Sequence, residues 1–309
     1  MQPPATRQPR RWRTRLKRAA VACGLLVFLW LLASYLVARR LTARPHPIRT
    51  EPVPARAWGK VEAFRLRTDD GEEIGAWFLD GRADKLPVLL LHGNGSCRSE
   101  NLAEAELVAS VGHPVLLLSM RAHGDSTGDR NDFGFGARRD VLAAVTWLEA
   151  RCPNRPPVTW GRSLGAAAAV FAAEELGGRV RGYLLECPYQ DLRTAVRNRT
   201  RQYLPPVLDF VAYAGLRTVA PAALPDFDRI SPVDAIAGIP SQSRVLILAG
   251  GADRRAMPAE ARTLHERCRC PAELTVIAGG DHLRLADADP RGYRAAVLGF
   301  LARCGTRAE

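Results

Sequence analysis

The first 45 residues of the chain contain no Asp or Glu, although they hold ten Lys or Arg. The remainder carries 44 − 10 = 34 basic residues against 32 acidic ones, a net charge of only +2. A protein that binds duplex nucleic acid needs a basic face on its folded body to displace counterions. Most of the net charge of +12 lies in the tail instead, so no nucleic-acid partner is expected.

Internal repeats and heptad patterns are also absent, which excludes solenoids and coiled coils. The chain has 309 residues, 47% of them hydrophobic and 25% charged. This usage is ordinary for a globular protein and excludes global disorder. One large domain with appendages is therefore predicted.

Residues 19–38 lack any charged residue and are rich in Leu, Val, Phe and Trp. As a helix this run would be roughly 30 Å long, the thickness of the hydrocarbon core of a bilayer. The alternatives are a buried helix and a cleaved signal peptide, but no small-x-small cleavage site precedes Arg39 and Arg40. An uncleaved transmembrane anchor is the favoured interpretation.

The orientation of this anchor follows from its basic flanks. Seven Lys or Arg precede the run and three follow it closely, and the more basic flank stays in the cytoplasm. The sequence thus predicts a cytoplasmic tail over residues 1–18, an anchor over 19–38, a proline-rich linker over 39–55, and the main folded domain over 56–309 on the outer side of the membrane.

The seven cysteines do not form a metal-binding pattern. Cys268 and Cys270 lack the two-residue spacing of zinc sites and have no second ligand pair in sequence, so no metal is expected. Outside the cytosol Cys304 could pair with Cys268 or Cys270, although free thiols are an equal expectation.

Short apolar runs alternate with helical patterns throughout residues 56–309. Such alternation predicts an α/β fold, a mainly parallel sheet with helices on both faces. The predicted strands are 61–67, 74–79, 87–91, 114–119, 158–160, 183–186, 245–248 and 274–277. The predicted helices are 135–150, 164–176, 258–267 and 291–302.

Residues 188–243 contain no clear strand, and so long an insertion in a compact domain usually has a function, such as that of a lid. Its apolar positions are candidates for a pocket that binds an acyl chain, or for packing against the sheet. Arg193, Arg197 and Arg201 are spaced four apart and could share a helical face that contacts phosphate headgroups or solvent.

Two segments match the Gly-x-Ser-x-Gly pattern, and their surroundings separate them. Ser163 follows a predicted strand and precedes an alanine-rich helix, which is the strand–turn–helix context of a nucleophilic serine. Ser126 is followed by a polar stretch typical of a loop. Ser163 is therefore the candidate nucleophile.

A serine nucleophile requires a base, normally a histidine that a carboxylate holds in place. Only His282, among six histidines, follows the last strand in a loop at the carboxyl edge of the sheet, where ligands of open α/β sheets bind. Asp253 follows the preceding strand and is favoured over Asp191 as the acid, while Asp281 should point away. The backbone N–H groups of Asn94 and Leu164 are the candidate oxyanion hole.

Four ordered motifs resemble those of the α/β-hydrolase superfamily over nearly all of residues 56–309. Leu90-Leu-His-Gly-Asn-Gly95 is similar to its oxyanion loop, and Gly161-Arg-Ser163-Leu-Gly-Ala166 to its nucleophile elbow. Arg121-Ala-His-Gly-Asp-Ser-Thr-Gly128 is similar to the loop after its fourth strand, and Ala249-Gly-Gly-Ala-Asp253 to the start of its acid loop. One departure is Ala122, where the superfamily usually has Gly.

This resemblance implies the α/β-hydrolase fold with a lid insertion and a Ser163–Asp253–His282 triad that needs no cofactor. The anchor is similar to that of single-pass membrane hydrolases of lysophospholipids, monoacylglycerols or acylated proteins. The sequence predicts a membrane-anchored serine hydrolase that cleaves lipid or small acyl esters. A serine peptidase of the same fold and a catalytically silent scaffold are the alternatives.

Overall fold

The computed structural model describes residues 9–55 and 59–306. Its centre is one eight-stranded sheet in the order β1-β2-β4-β3-β5-β6-β7-β8. Strand β2 runs antiparallel to both of its neighbours, and the remaining pairs are parallel. The strands are β1 Val61–Arg67, β2 Glu73–Leu79, β3 Val88–Leu91, β4 Val115–Ser119, β5 Val158–Arg162, β6 Gly182–Glu186, β7 Arg244–Gly250 and β8 Ala272–Ile277.

Helices cover both faces of the sheet and give it two hydrophobic cores. Alternate residues of each central strand point to opposite faces. In β3, Leu89 and Leu91 face the core formed with α3, α4 and α8, while Val88 and Leu90 face the core formed with α2 and α10. These helices are α2 Leu102–Ala109, α3 Arg138–Arg151, α4 Leu164–Leu176, α8 Pro258–Arg267 and α10 Pro290–Gly305, with a short α9 at Leu285–Ala288.

The predicted α/β-hydrolase fold is confirmed, and all eight predicted strands are present. The helix predicted at 135–150 begins later, at Arg138, because Phe133 and Gly134 have positive φ values and form a turn before it. Helix α2 was not predicted; it has only eight residues, too few for a clear apolar period.

The N-terminal helix α1 spans Pro9–Thr42 and contains the predicted anchor. Its segment Trp12–Thr42 is long and apolar enough to cross a membrane. The most apolar stretch of this segment has a mean hydropathy of 2.4, and only 6% of that stretch is buried against the rest of the protein. The predicted boundaries at residues 18 and 38 both fall inside this one helix. Residues 1–8 of the predicted tail, and residue 56, where the domain was predicted to start, lie outside the described residues.

The segment 39–55, predicted as a proline-rich linker, contacts the hydrolase body. Arg44 donates hydrogen bonds to the carbonyl oxygens of Gly124, Ser126 and Gly128 at 2.7–3.0 Å. Glu51 is buried, and its carboxylate lies 3.2 Å from the Arg98 guanidinium. These contacts fix the end of α1 against the loop that follows β4.

The insertion at 188–243 contains no strand, as predicted, and folds into three α-helices and two short 3₁₀ helices. The α-helices are α5 Leu192–Tyr203, α6 Pro206–Ala223 and the short α7 Pro232–Ala235. Helix α6 packs along α1, where the indole N–H of Trp30 donates to the carbonyl oxygen of Val211 at 3.3 Å. The insertion predicted as a lid therefore packs on the N-terminal helix.

Candidate active site

Ser163 lies in a strained turn between β5 and α4. Its φ of 51° and ψ of −105° are unusual for a residue with a side chain. A Cβ on Gly161 would lie 2.3 Å from the carbonyl carbon of Gly165, and a Cβ on Gly165 would lie 2.4 Å from the carbonyl oxygen of Leu91. The two glycines of the motif therefore permit the tight turn that raises Ser163 above the sheet.

The second Gly-x-Ser-x-Gly segment has a structural role. The Ser126 hydroxyl is fully buried, donates to the carbonyl oxygen of Ser119 and accepts from the N–H of Gly75 at 2.9 Å. It holds the loop after β4 to strand β2, in agreement with the loop predicted around Ser126.

His282 and Asp253 meet Ser163 at the carboxyl edge of the sheet. His282 Nε2 is 3.1 Å from Ser163 Oγ, and His282 Nδ1 is 2.7 Å from Asp253 Oδ2. Asp253 Oδ1 accepts from the backbone N–H groups of Arg255 at 2.7 Å and Ala256 at 3.0 Å. The three predicted side chains thus form one continuous hydrogen-bonded chain.

The ionisation state of Asp253 determines where the protons lie in the hydrogen bonds that join Asp253, His282 and Ser163. Burial alone would raise the pKa of Asp253, but the hydrogen bond and charge of His282 and the two backbone donors outweigh burial and lower it. An ionised Asp253 accepts a hydrogen bond from Nδ1–H of His282, and the tautomer that this hydrogen bond selects presents Nε2 to the Ser163 hydroxyl.

The other two candidate acids bind backbone groups elsewhere. Asp191 caps helix α5, where its carboxylate accepts from the N–H of Thr194 at 2.7 Å. Asp281 accepts from the N–H groups of Leu283 and Arg284, both at 2.9 Å. Neither carboxylate is hydrogen-bonded to the imidazole of His282 in the part of the chain that the structure describes.

Asn94 and Leu164 lie beside Ser163 at the wall of the same cavity. Leu164 is the first residue of α4, and Asn94 lies in the loop after β3. Neither backbone N–H has a protein acceptor among the described residues. Both donors are therefore available to a substrate oxygen.

Neighbouring side chains hold the loop that carries Asn94. The amide of Asn131 donates to Asn94 Oδ1 at 2.7 Å, and the N–H of Gly95 donates to His123 Nε2 at 3.1 Å. His92 Nε2 accepts from the N–H of Met120 at 2.9 Å, so its Nδ1–H donates to the carbonyl oxygen of Gly93 at 2.7 Å. Asn131 was not singled out from the sequence because it lies 37 residues from Asn94.

Both of these histidines are kept neutral by their surroundings. Burial, followed by the positive charge of a protonated His123, lowers the pKa of His92 to about 3. Burial lowers the pKa of His123 to about 4. Each neutral imidazole has one acceptor nitrogen, which accepts from the backbone N–H of Met120 in His92 and from that of Gly95 in His123.

Cys187 is a further buried group beside the triad. The potential ligand atoms of Cys187, Asp253 and His282 lie within 4.8 Å of one another. Burial and the nearby negative charges of Glu186 and Asp253 raise the pKa of the Cys187 thiol well above its ordinary value. A protonated thiol is a poor metal ligand, and Asp253 already binds His282, so these residues fit a hydrogen-bonded pair better than a metal centre.

All seven cysteines are free thiols, and the disulfide considered between Cys304 and Cys268 or Cys270 is not formed.

A cavity of about 560 Å³ opens above Ser163 and His282, and we call it the Ser163 cavity. Its apolar lining includes Val37 and Leu41 of α1 and Leu216 of α6. Arg199, Tyr203 and Arg255 also line it. The contribution of α1 to this cavity could not be predicted from the sequence, because a helix packed on the insertion has the same apolar pattern as a helix surrounded by lipid.

The predicted row of arginines on α5 does not face this cavity. Arg193 pairs with Asp228 at 2.7 Å, and Arg197 pairs with Asp209 at 3.1 Å. Arg201 is exposed. Two of the three cations thus already have carboxylate partners, and the arginine of α5 that lines the cavity is Arg199.

The family model described as "Alpha/beta hydrolase family" matches residues 88–296, about two thirds of the chain. The chain belongs to the alpha/beta hydrolase family. This assignment agrees with the sheet order, the elbow at Ser163 and the positions of Asp253 and His282 after β7 and β8. The chain is thus a member of a family of hydrolytic enzymes.

Two curated relatives are similar to this family member. The uncharacterized protein YqkD of Bacillus subtilis is 25% identical over 248 residues, which cover 77% of this chain and 78% of that protein. The uncharacterized membrane protein YNL320W of Saccharomyces cerevisiae is 25% identical over 140 residues, which cover 44% of this chain and 48% of that protein.

Solved structures of esterases share the fold. The esterase Pf2001 of Pyrococcus furiosus superposes with a TM-score of 0.67 at 23% identity, over 83% of this chain and 98% of that one. An esterase from Thermogutta terrifontis superposes with a TM-score of 0.59 at 20% identity, over 79% of this chain and 100% of that one. At these identities the likeness concerns the fold alone.

Proposed function

We propose that the protein is a membrane-anchored serine hydrolase that cleaves carboxylic esters through an acyl-enzyme on Ser163. The hydrogen-bonded chain from Ser163 through His282 to Asp253 carries this proposal, because it joins a nucleophile, a base and an orienting carboxylate. The esterase neighbours and the apolar cavity support an ester with an acyl group as the substrate.

In the first half of the reaction, Ser163 Oγ attacks the ester carbonyl carbon while His282 Nε2 takes the hydroxyl proton. Asp253 stabilises the imidazolium that forms and keeps its orientation. The N–H groups of Asn94 and Leu164 bind the oxyanion of the tetrahedral intermediate, each worth about 10² to 10³ in rate. The intermediate collapses when His282 gives its proton to the departing alcohol, which leaves the acyl group on Ser163.

The second half of the reaction repeats these steps with water. His282 takes a proton from water as the water oxygen attacks the acyl carbon. The second tetrahedral intermediate then releases the carboxylic acid, and the proton returns to Ser163 Oγ. The residues required for both halves all belong to this chain.

The membrane part of the proposal rests on α1. We assign residues 1–18 to a cytoplasmic tail, 19–38 to the anchor, 39–55 to a connecting segment and 56–309 to a hydrolase domain on the outer side. The apolar run of α1 and its more basic N-terminal flank support this arrangement. Impermeant amine or thiol labelling of intact cells, compared with opened ones, tests the orientation.

The experiment that tests the catalytic proposal is labelling with a fluorophosphonate, which reacts with activated serines. The full chain in detergent is compared with Ser163→Ala and with Ser126→Ala, a matched control in the other Gly-x-Ser-x-Gly segment. We expect the wild type and Ser126→Ala to be labelled and Ser163→Ala to be unlabelled. A folded wild type without label would favour a catalytically silent scaffold.

A further inference from the structure

Arg199 and Arg255 line the Ser163 cavity without a carboxylate partner. Arg199 belongs to α5, and Arg255 lies two residues after Asp253. Both are half-buried, and no Asp or Glu forms an ion pair with either one in residues 9–55 and 59–306. The polar partner of Arg255 is the hydroxyl of Tyr203, at 3.4 Å.

Three other enclosed arginines of this protein, Arg162, Arg98 and Arg121, are neutralised by carboxylates. Arg162, below the cavity, pairs with Glu104 and with Glu186. Arg98 pairs with Glu51 and Asp125, and Arg121 pairs with Asp70 and Asp140. Arg199 and Arg255 differ from these three arginines, because no carboxylate of the described residues pairs with either of them.

The two unpaired guanidinium groups act on each other and on their surroundings. Burial, and then the positive charge of Arg255, lowers the pKa of Arg199. The charges of Arg255 and Arg199 lower the pKa of Tyr203. Two like charges held in a partly enclosed site cost free energy that a bound anion would recover.

Resting on the proposed function, we propose that Arg199 and Arg255 bind an anionic group, a phosphate or a carboxylate, of the ester that Ser163 cleaves. Guanidinium groups bind these oxyanions through paired N–H donors. The apolar wall formed by Val37, Leu41 and Leu216 then receives the acyl chain. The substrate class is an amphiphile with an acyl ester and a negative charge near it.

The test compares esters that share a decanoyl chain and differ in charge. Decanoyl glycerol is the neutral ester, decanoyl glycerol phosphate bears a phosphate, and decanoyl glycerate bears a carboxylate. With the full chain in neutral detergent, we expect kcat/KM to be at least tenfold higher for an anionic ester than for the neutral one. The two anionic esters distinguish phosphate from carboxylate recognition.

Arg199→Gln and Arg255→Gln should each lower the anionic-to-neutral ratio of kcat/KM about tenfold. The matched control is Arg201→Gln, which removes an exposed arginine of the same helix and should leave the ratio unchanged. A wild-type ratio near one, or a ratio that Arg199→Gln and Arg255→Gln both leave unchanged, would overturn the proposal.

A binding measurement separates this inference from the proposed reaction. Ser163→Ala cannot form the acyl-enzyme, and by calorimetry it should bind decyl phosphate or decanoate at least tenfold more tightly than decanol. Equal affinities would refute the anion site even if Ser163 is labelled and active. If Ser163 is not labelled but the protein still prefers the anionic ligands, the proposed reaction is refuted and the anion-binding site is retained.

The first two turns of α6 carry a separate inference, because they expose an apolar face. Val207, Leu208, Phe210 and Val211 are exposed there, with Val207 at 75% and Phe210 at 66%. Soluble surfaces seldom keep so many large apolar side chains together, and such patches mark contact with a protein or a membrane.

The packing of α6 on α1, which the proposed function places in the membrane, points to lipid as the partner. Gly215 lies against Trp30 and Ser34, where a Cβ would come within 2.2 Å of the Ser34 hydroxyl. Trp30 precedes the end of the apolar run, residue 38, by eight residues, or about 12 Å along the helix. The exposed turns of α6 therefore lie beside the membrane-spanning part of α1, and we infer that they enter the outer leaflet of the bilayer.

Phe210→Trp in vesicles tests this inference. Its fluorescence, after subtraction of the wild type, should be quenched at least twofold by lipids brominated on the acyl chain. The control Val276→Trp, on strand β8, should not be quenched. Equal quenching at the two positions, or none at Phe210→Trp, would refute immersion of α6 whether or not the enzyme is active.

Discussion

The floor and the roof of the Ser163 cavity are built on different physical principles. The floor, at the carboxyl edge of the sheet, consists of Ser163, His282, Asp253 and the loop of Asn94, and its polar side chains have defined partners. The roof, formed by α1, α5 and α6, is mainly apolar but holds the cation Arg199. The floor is thus suited to perform the reaction, and the roof to select the substrate.

This difference has a thermodynamic basis. Catalytic groups must be positioned before the substrate arrives, so their hydrogen bonds are completed within the protein. Groups that recognise a substrate gain most when their own partners are missing, because the substrate then supplies them. We therefore expect changes in the floor to act mainly on kcat and changes in the roof to act on selectivity.

The largest expected effect is that of Asp253→Asn in the floor. An amide in place of the carboxylate favours the wrong tautomer of His282 and does not stabilise the imidazolium. We expect kcat to fall about 10⁴-fold while the fold is retained, as measured by ester hydrolysis and circular dichroism.

The matched control is Asp191→Asn, which alters the other candidate acid. Asp191 caps α5, and asparagine is also a good capping residue, so activity should stay close to that of the wild type. A comparable loss of kcat in the two variants would contradict the assignment of Asp253.

Acid should destabilise the floor, because its loops contain two histidines with lowered pKa values, about 3 for His92 and about 4 for His123. The unfolded chain binds protons below the ordinary pKa of about 6.5, whereas the folded protein does not. The free energy of unfolding should therefore fall between pH 6.5 and about 4, by about 1.4 kcal/mol per pH unit for each histidine.

His92→Gln tests this contribution, because its amide oxygen can still accept from the N–H of Met120. Denaturant unfolding at several pH values should give a smaller slope for the variant, by about 1.4 kcal/mol per pH unit. Equal slopes in the two proteins would show that His92 is protonated in the folded state as readily as in the unfolded one.

A smaller effect is expected from the support of the oxyanion loop. His123→Ala removes the acceptor of the Gly95 N–H, so the loop and the Asn94 donor become less fixed. We expect kcat to fall about tenfold with little change in KM. His113→Ala is the control, since His113 is also buried but binds the carbonyl oxygen of Leu86, away from Ser163. An equal loss of kcat in His113→Ala would indicate general destabilisation.

Local motifs explain why the floor could be predicted from the sequence. The turn at Ser163 depends on Gly161 and Gly165, which are two residues away on either side. Asp253 and His282 follow the ends of strands, and parallel strands bring such positions to one edge. Ala122 stands where the superfamily usually has Gly. Its φ of 60° explains that preference, because glycine adopts a positive φ more readily than other residues.

The roof depends on contacts that no local pattern encodes. Trp30 and Val211 are 181 residues apart, and Arg44 contacts carbonyl oxygens 80–84 residues later. Helical spacing grouped Arg193, Arg197 and Arg201, but the carboxylates that neutralise two of them come from other elements. The sequence therefore could not tell which arginine of α5 remains unpaired in the cavity.

The smallest expected effect is a change of chain-length preference through the roof. Leu41 of α1 lines the Ser163 cavity, and Leu41→Ala removes apolar surface from the wall assigned to the acyl chain. Each buried methylene contributes about 0.8 kcal/mol, so the ratio of kcat/KM for dodecanoyl over butanoyl esters should fall roughly threefold to tenfold.

Leu36→Ala is the control, because Leu36 is an exposed residue of α1 that does not line the cavity. A ratio unchanged by Leu41→Ala would mean that the acyl chain does not reach α1. A fall in both variants would instead mean that α1 acts through its membrane contact, and the roof would then extend into the bilayer.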